Sequence, residues 1–354
     1  LKGNSNWMKS HEIRMAAHAF GDFGDYIKRV IQPHSSDSAA LDNTFEVLVR
    51  AGRDAPMVKT LLMPEAWSHS EAVMNPAHQA LYAYCNAVME PWDGPAAICA
   101  TDGRWVVAGK DRNGLRPLRV AFTEDGLVIM GSEAGMTGVA EARITRKAHI
   151  SPGRMIAIDL AEGKLYDEDE IIDLLSERHP YTKWLGNMVA LDETIGQGGE
   201  PRAYSRDELV RRQVAAGLTL EDMELILAPM VEDGKEAVGS MGDDAPLAVL
   251  SEKYRPLSHF FRQNFSQVTN PPIDPLREAR VMSLKTRFKN LGNILAQDET
   301  QTDVYVMDSP VLTNGMYRRI LDFIGAKQIA HLDCTMPIPA TEARPGDALR
   351  AALD

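Results

Sequence analysis

The sequence is short of the residues that mark whole classes of protein. Its 354 residues hold three cysteines, Cys85, Cys99 and Cys334, too few and too scattered for a disulfide framework. There is no CxxC and no HExxH, and the nine histidines do not fall at ligand spacing, so no metal site is expected. The acidic run Asp167 to Asp173 lacks the glycine and ligand spacing of a calcium loop and reads as a solvated helix start. No GxGxxG follows a strand and opens a helix, and no Walker loop occurs, so the familiar nucleotide cradles are missing. No apolar run approaches the roughly 20 residues that span a bilayer. Positive charge is also scarce: 38 basic residues face 50 acidic ones, and the net charge of −12 disfavours binding to nucleic acid or anionic membranes. The first residues carry no basic-then-apolar leader, and a reducing cytoplasm is the expected location.

What is present is enough apolar sequence, 44%, for the cores of two or three domains. The first 95 residues read mainly as helix. In "LDNTFEVLVRAG", Leu41, Phe45 and Leu48 share a face and Gly52 is a stop. "NPAHQALYAYCNAVM" opens with Asn75 as N-cap and Pro76 at the first helical position, and its stripe of Ala77, Leu81, Tyr84, Cys85 and Val88 makes Cys85 a core residue. The period then changes. "AAICAT-DG-RWVVAG", "LRVAFTE-DG-LVIMG" and "RMIAIDLA-EG-KLYD" are three hairpin signals, and together they argue an antiparallel sheet. "AAICA" and "VIM" show little polar alternation, so these strands, and Cys99 with them, are expected to be covered on both faces by the preceding helices. "GQGGEPRAYS", Gly196 to Ser205, is the linker candidate. Two capping boxes follow, Ser205 with Glu208 in a helix that Gly217 ends, then Thr219 with Asp222. The glycine-rich "GSMGDD", Gly239 to Asp244, reads as a loop, and Pro271-Pro272 breaks a helix-like run.

Chemistry points to "GKDRNGLRP", Gly109 to Pro117. Asn113-Gly114 between two strand-like runs is a tight turn. It also sets an amide side chain beside a backbone N–H, which is what an oxyanion hole requires; one such donor stabilises the developing negative oxygen by roughly 3–4 kcal/mol. Local pattern alone leaves both readings open. Arg112 and Arg116 flank the turn and are expected to brace it through carboxylates such as Asp93 or Asp111. Trp7, Trp92 and Trp105 are expected to pack between layers.

The run "MEPWDGPAAICATDGRWVVAGKDRNGLRPLRV" resembles the glutaminase domain of bacterial glutamate synthase large subunits, a class II glutamine amidotransferase with the N-terminal-nucleophile hydrolase fold. "LKGNSNWMKSHE", "SDSAALDNTFEVLVRAGR" and "GRMIAIDL" match it too. "LAPMVEDGKEAVGSMGDDAPLAVLS", "FFRQNFSQVTNPPIDPLRE" and "VMSLKTR…LGNIL" resemble the family's central domain. The resemblance implies an α+β fold: part of an N-terminal-nucleophile hydrolase, an antiparallel sheet layered with helices, over 1–195; a linker, 196–205; and part of an α/β central domain over 206–354.

It also implies a mechanism. An N-terminal cysteine attacks the side-chain amide of L-glutamine with its own α-amino group as base, and the oxyanion is held by Asn113 and Gly114. Ammonia then passes to a flavin domain and adds to 2-oxoglutarate, and the imine is reduced to glutamate. The implied cofactors of the whole enzyme are FMN, an iron–sulfur cluster and NADPH, the last oxidised by a small (beta) subunit; none is expected within this chain. The implied assembly is a homo-oligomer. The family's substrate-ammonium aspartate has no counterpart in "GSEAGMTGVAEARI", where Glu141 is the nearest acid. The chain opens with Leu and ends in "DALRAALD", so it is expected to be a piece cut at both ends, without the nucleophile and inactive alone. Rival readings are a non-catalytic scaffold of the same fold and another class II amidotransferase.

Limited proteolysis should nick first within residues 196–205. Early cleavage inside 96–160 would contradict this division.

Overall fold

The computed structural model describes residues 30–32, 34–67, 73–196, 203–234, 247–261, 283–289 and 293–331. Trp7, the loop Gly239 to Asp244, Pro271-Pro272 and Cys334 lie outside them. The chain forms two compact units that do not follow chain order: residues 189–200, 284–288 and 305–354 make one, and the rest make the other.

The larger unit begins with three helices, α1 (Asp37–Arg50), α2 (Ala55–Leu62) and α3 (Pro76–Val88). Each has a side-chain cap: Ser36 accepts from Ala39 N, Asp54 from Met57 N and Asn75 from Ala77 N. Gly52, at φ +105°, ends α1 as its composition implied. The three expected hairpins all form: β1 (Ala97–Thr101) with β2 (Trp105–Lys110), β3 (Arg119–Thr123) with β4 (Val128–Gly131), and β6 (Met155–Asp159) with β7 (Lys164–Tyr166). They sort into two antiparallel sheets, β1-β2-β6-β7 and β4-β3-β5, the last strand being β5 (Ile144–His149).

Alternation along β2 and β6 builds the layers. Trp105, Val107, Met155 and Ala157 face a large core made with α1, α2, α3, α4 (Glu168–Ser176) and α5 (Tyr181–Leu185). Ala108 and Ile156 face the other way, into a second core with Leu118, Val120 and Ile150 of the three-stranded sheet. Burial of each large apolar side chain here contributes about 1.5–3 kcal/mol. Both-face burial therefore belongs to β2 and β6. The expectation that β1 and β4 would be covered twice is corrected: both are edge strands, β1 is exposed or half-exposed throughout, β4 is half-buried, and Cys99 is exposed. Cys85 is fully buried on α3, and Trp92 and Trp105 pack in the core, as read from the sequence.

One late segment returns to this unit. Ile294 and Leu295 enter the large core, Thr302 Oγ1 donates to Trp184 O at 2.7 Å, and buried Arg53 donates to Ala296 O. By contrast α7 (Arg206–Ala215) and α8 (Ala228–Asp233) bury no residue. Of the two expected capping boxes, Thr219 and Asp222 bond reciprocally; Ser205 caps α7, which Gly217 at φ +70° follows, while Glu208 accepts from Arg212. A π-turn, Asp222–Leu227, then leads into α8. Asp167 caps α4 in a full capping box, which confirms the helix-start reading of the acidic run.

The smaller unit has a three-stranded sheet, β8 (Val189–Ala190), β10 (Val304–Met307) and β9 (Thr286–Lys289) in the order β8-β10-β9, with β8 and β10 parallel. α6 (Leu191–Ile195) and α9 (Asn314–Ile324) flank it around Leu191, Tyr305, Met307 and Ile320. Among the described residues no helix is long and apolar enough to cross a membrane.

Candidate active site

The turn after β2 is organised by Asp111, only 1% exposed. Its Oδ2 accepts from Ala96 N at 3.0 Å, and its Oδ1 accepts from Asn113 N at 2.9 Å and Leu115 N at 3.3 Å. Its carbonyl accepts from Gly114 N at 2.9 Å and from Gly153 N at 2.7 Å. The side chain thus mimics a backbone turn around residues 113–115. Gly114 sits at φ +64°, and a Cβ there would lie 2.8 Å from Pro152. Glycine is needed for the backbone conformation and for the close approach of the 151–154 loop. Arg112 forms a two-pronged pair with Asp93, at 2.9 and 2.7 Å, so the expected brace is present on that side. Arg116 is exposed.

Asn113 stands apart from these satisfied groups. Both its Nδ2 and its Oδ1 are buried and have no hydrogen-bond partner. Left unbonded, a buried amide costs about 1–3 kcal/mol, so this position calls for a polar partner such as an ordered water or a ligand. The Gly114 N–H is occupied by the turn bond to Asp111. Of the two donor groups expected from the sequence, the Asn113 amide is therefore the unengaged one.

Glu141 has different surroundings. It lies on the short 3-10 turn Glu141–Arg143, with its side chain 77% exposed and its carboxylate paired with Lys147. A cleft of about 400 Å³ between α1 and β1 is lined by Leu41, Phe45, Ile98, Cys99 and Asp102 among others, and none of Asn113, Gly114 and Glu141 lines it.

Beneath the turn lies a group that the sequence reading passed over. Lys59 of α2 is 2% exposed and donates from Nζ to Gly153 O at 2.6 Å. Burial lowers its pKa to about 7, against the pull of Glu65 in the other direction. Glu65 pairs with Arg154 at 3.1 and 2.9 Å and bonds the Tyr82 hydroxyl. Glu168 accepts from Ser151 N at 2.6 Å. The signal was available: "APMVKTLLM" places one lysine inside an otherwise apolar helix, where only a partnered ammonium or a shifted amine is tolerated.

The cysteines do not complete a catalytic pair. Burial pushes the Cys85 thiol up to about 12, and partial burial raises that of Cys99 as well. Among the described residues no group of three or more His, Cys, Asp or Glu could hold a metal ion.

Residues 1–184 match the family model of class-II glutamine amidotransferases, and the chain belongs to that family, whose fold is that of the N-terminal-nucleophile hydrolases. Residues 211–354 match the family model of the glutamate synthase central domain. It is 57% identical over 353 residues to the glutamate synthase [NADPH] large chain of Azospirillum brasilense, covering 99% of this chain and 23% of that one. Identity is 38% over 333 residues to the corresponding Bacillus subtilis chain, 94% of this chain and 21% of that one. It is 37% over 323 residues to ferredoxin-dependent glutamate synthase 1 of Arabidopsis thaliana, 91% and 20%. The chain spans less than a quarter of the length of these relatives.

Lys59 gives the unit a pH dependence whose sign follows from the lowered pKa. Between about pH 7 and the ordinary lysine value of 10.5, the unfolded chain holds a proton that the folded one has released, so stability rises with pH across that window. Lys59→Met should remove this rise: its stability relative to the native chain should be highest at pH 7 and fall towards pH 10 in chemical denaturation. Parallel curves would show that Lys59 keeps its ordinary titration in the fold.

Proposed function

We propose that this chain is the glutaminase and adjoining central part of a glutamate synthase that forms L-glutamate from L-glutamine and 2-oxoglutarate. The observation that carries the reading is the buried, unpartnered amide of Asn113, on the turn for which the family resemblance implies an oxyanion hole. In this reading an N-terminal cysteine thiolate attacks the glutamine side-chain amide, and its own α-amine takes and returns the proton. The carbonyl oxygen becomes an oxyanion, and Asn113 Nδ2 donates to it. Gly114 N–H joins as second donor when its bond to Asp111 opens. Collapse releases ammonia and leaves an acyl-enzyme for water to hydrolyse. The thiolate is not Cys85 or Cys99, whose raised pKa values leave little thiolate at neutral pH.

The ammonia then adds to 2-oxoglutarate elsewhere in the large chain. FMN, reduced through an iron–sulfur cluster, would supply the hydride that converts the imine to glutamate. NADPH on a small subunit is the favoured electron source, because identity is 57% to an NADPH-type chain and 37% to a ferredoxin-dependent one. The cytoplasm and a homo-oligomer complete the proposal. The division proposed along the sequence is an amidotransferase part to residue 195, a linker to 205 and a central part from 206.

Glu141 remains the proposed partner of the substrate α-ammonium, and it would have to release Lys147 to act. In the full-length enzyme, Asn113→Ala should lower glutamine hydrolysis by roughly 10²–10³-fold and leave reduction of added 2-iminoglutarate unchanged. An unaltered rate would leave Asn113-Gly114 as a turn and nothing more. In the same assay Glu141→Ala should raise KM for glutamine with little change in kcat. An unchanged KM assigns Glu141 to its pair with Lys147 alone.

A further inference from the structure

We infer that Lys59 is a positioning residue for glutamine hydrolysis, holding the Asn113–Gly114 turn through the loop Ser151 to Arg154. The inference rests on the oxyanion reading of Asn113. Two hydrogen bonds on one residue make the link. Gly153 O accepts from Lys59 Nζ at 2.6 Å, and Gly153 N donates to Asp111 O at 2.7 Å. Asp111 in turn receives the Asn113 N–H at 2.9 Å. The neighbouring Pro152 packs directly under Gly114, where a Cβ would meet its Cγ at 2.8 Å. Whatever fixes the 151–154 loop therefore fixes the floor of the turn.

The loop has few ways to move. Gly153 is at φ +74°, and its Cβ position is already occupied by Glu65. Arg154 O accepts from Lys110 N at 3.1 Å. The lysine's own path is fixed too, because it crosses β2 at Gly109, where a Cβ would lie 2.5 Å from Lys59 Cε. The charged groups around Nζ are Glu65, Arg154, Asp111 and Glu168. All four are engaged elsewhere: Arg154 and Glu65 with each other, Asp111 with the turn amides, and Glu168 with Ser151 N. A methionine would fill the same space without the cost of desolvating an amine, so packing alone does not call for lysine. The residue touches no substrate in this reading. Its effect passes through Gly153 and Asp111.

The test is a double-mutant cycle in the full-length enzyme, with kcat and KM for glutamine read separately. Lys59→Met should lower kcat by about 10–100-fold, the size expected when a catalytic donor shifts by a fraction of an ångström to an ångström. KM should stay within about twofold, since uniform binding is untouched. In an Asn113→Ala background the same substitution should cost little more, because the donor it positions is gone. A native kcat overturns the inference, and so does a loss that multiplies unchanged with Asn113→Ala, the mark of a general structural role. Gly109→Ala displaces Lys59 from the other side and should reproduce the pattern. Should Lys59→Met not fold, a native kcat in Gly109→Ala overturns the inference by itself. A native rate in Asn113→Ala alone removes the oxyanion reading, and the inference with it, through a different variant.

Discussion

Asp111 brings a carboxylate to the buried end of β2, where water cannot reach it, and the peptide groups that replace water are those of the turn itself. Three N–H groups, from Ala96, Asn113 and Leu115, converge on its two oxygens. Such charge-assisted bonds are roughly twice as strong as neutral ones and shorter in reach. Satisfying the carboxylate therefore dictates where residues 113–115 run, and its backbone carbonyl fixes Gly114 and Gly153 in the same stroke. The two sheets meet just beside it, through Ala108, Ile150 and Ile156. The turn hangs from the seam between two rigid layers, and the Arg112–Asp93 pair closes its outer side.

The segment around Ile294 to Thr302 lies within the sequence span of the central-domain match, yet it packs into the amidotransferase helices. The contacts are of the kind that hold a fold together. Thr302 is fully buried and donates to Trp184 O, and Arg53 reaches Ala296 O while leaving its Nη1 buried and unpaired. Removing a partner from a buried guanidinium costs several kcal/mol. The two family segments therefore share a core.

Much of this was legible in the residues. Asn75-Pro76, Ser205 and Thr219 announced helix starts because capping is local chemistry. The three Asp-Gly and Glu-Gly turns announced their hairpins for the same reason. Sheet order was not legible: "AAICA" is as apolar as a central strand but stands at an edge, because its neighbours are chosen by long-range pairing. Asn113 was legible as a turn residue, and its proposed donor role comes from the family resemblance. Its unsatisfied amide was visible only once the surrounding atoms were placed. Lys59 carried a signal, a lone cation in an apolar helix, but its partner is a carbonyl 94 positions away in the sequence.

The energetic position of Asn113 explains why such an arrangement can serve chemistry. A buried amide without partners raises the energy of the resting protein by about 1–3 kcal/mol. The backbone that carries this amide is held by Asp111, by Pro152 packed under Gly114 and by the Arg112–Asp93 pair beside it. In the proposed oxyanion role, that fixed turn would leave Nδ2 little to reorganise as a negative oxygen developed beside it, whereas water would have to turn its dipoles first. In that role the cost of an unbonded amide would be relieved when the acceptor arrived, and most when that acceptor carried the full charge of the tetrahedral intermediate. A side chain already bonded in the resting state would have to break that bond first and would stabilise the transition state correspondingly less.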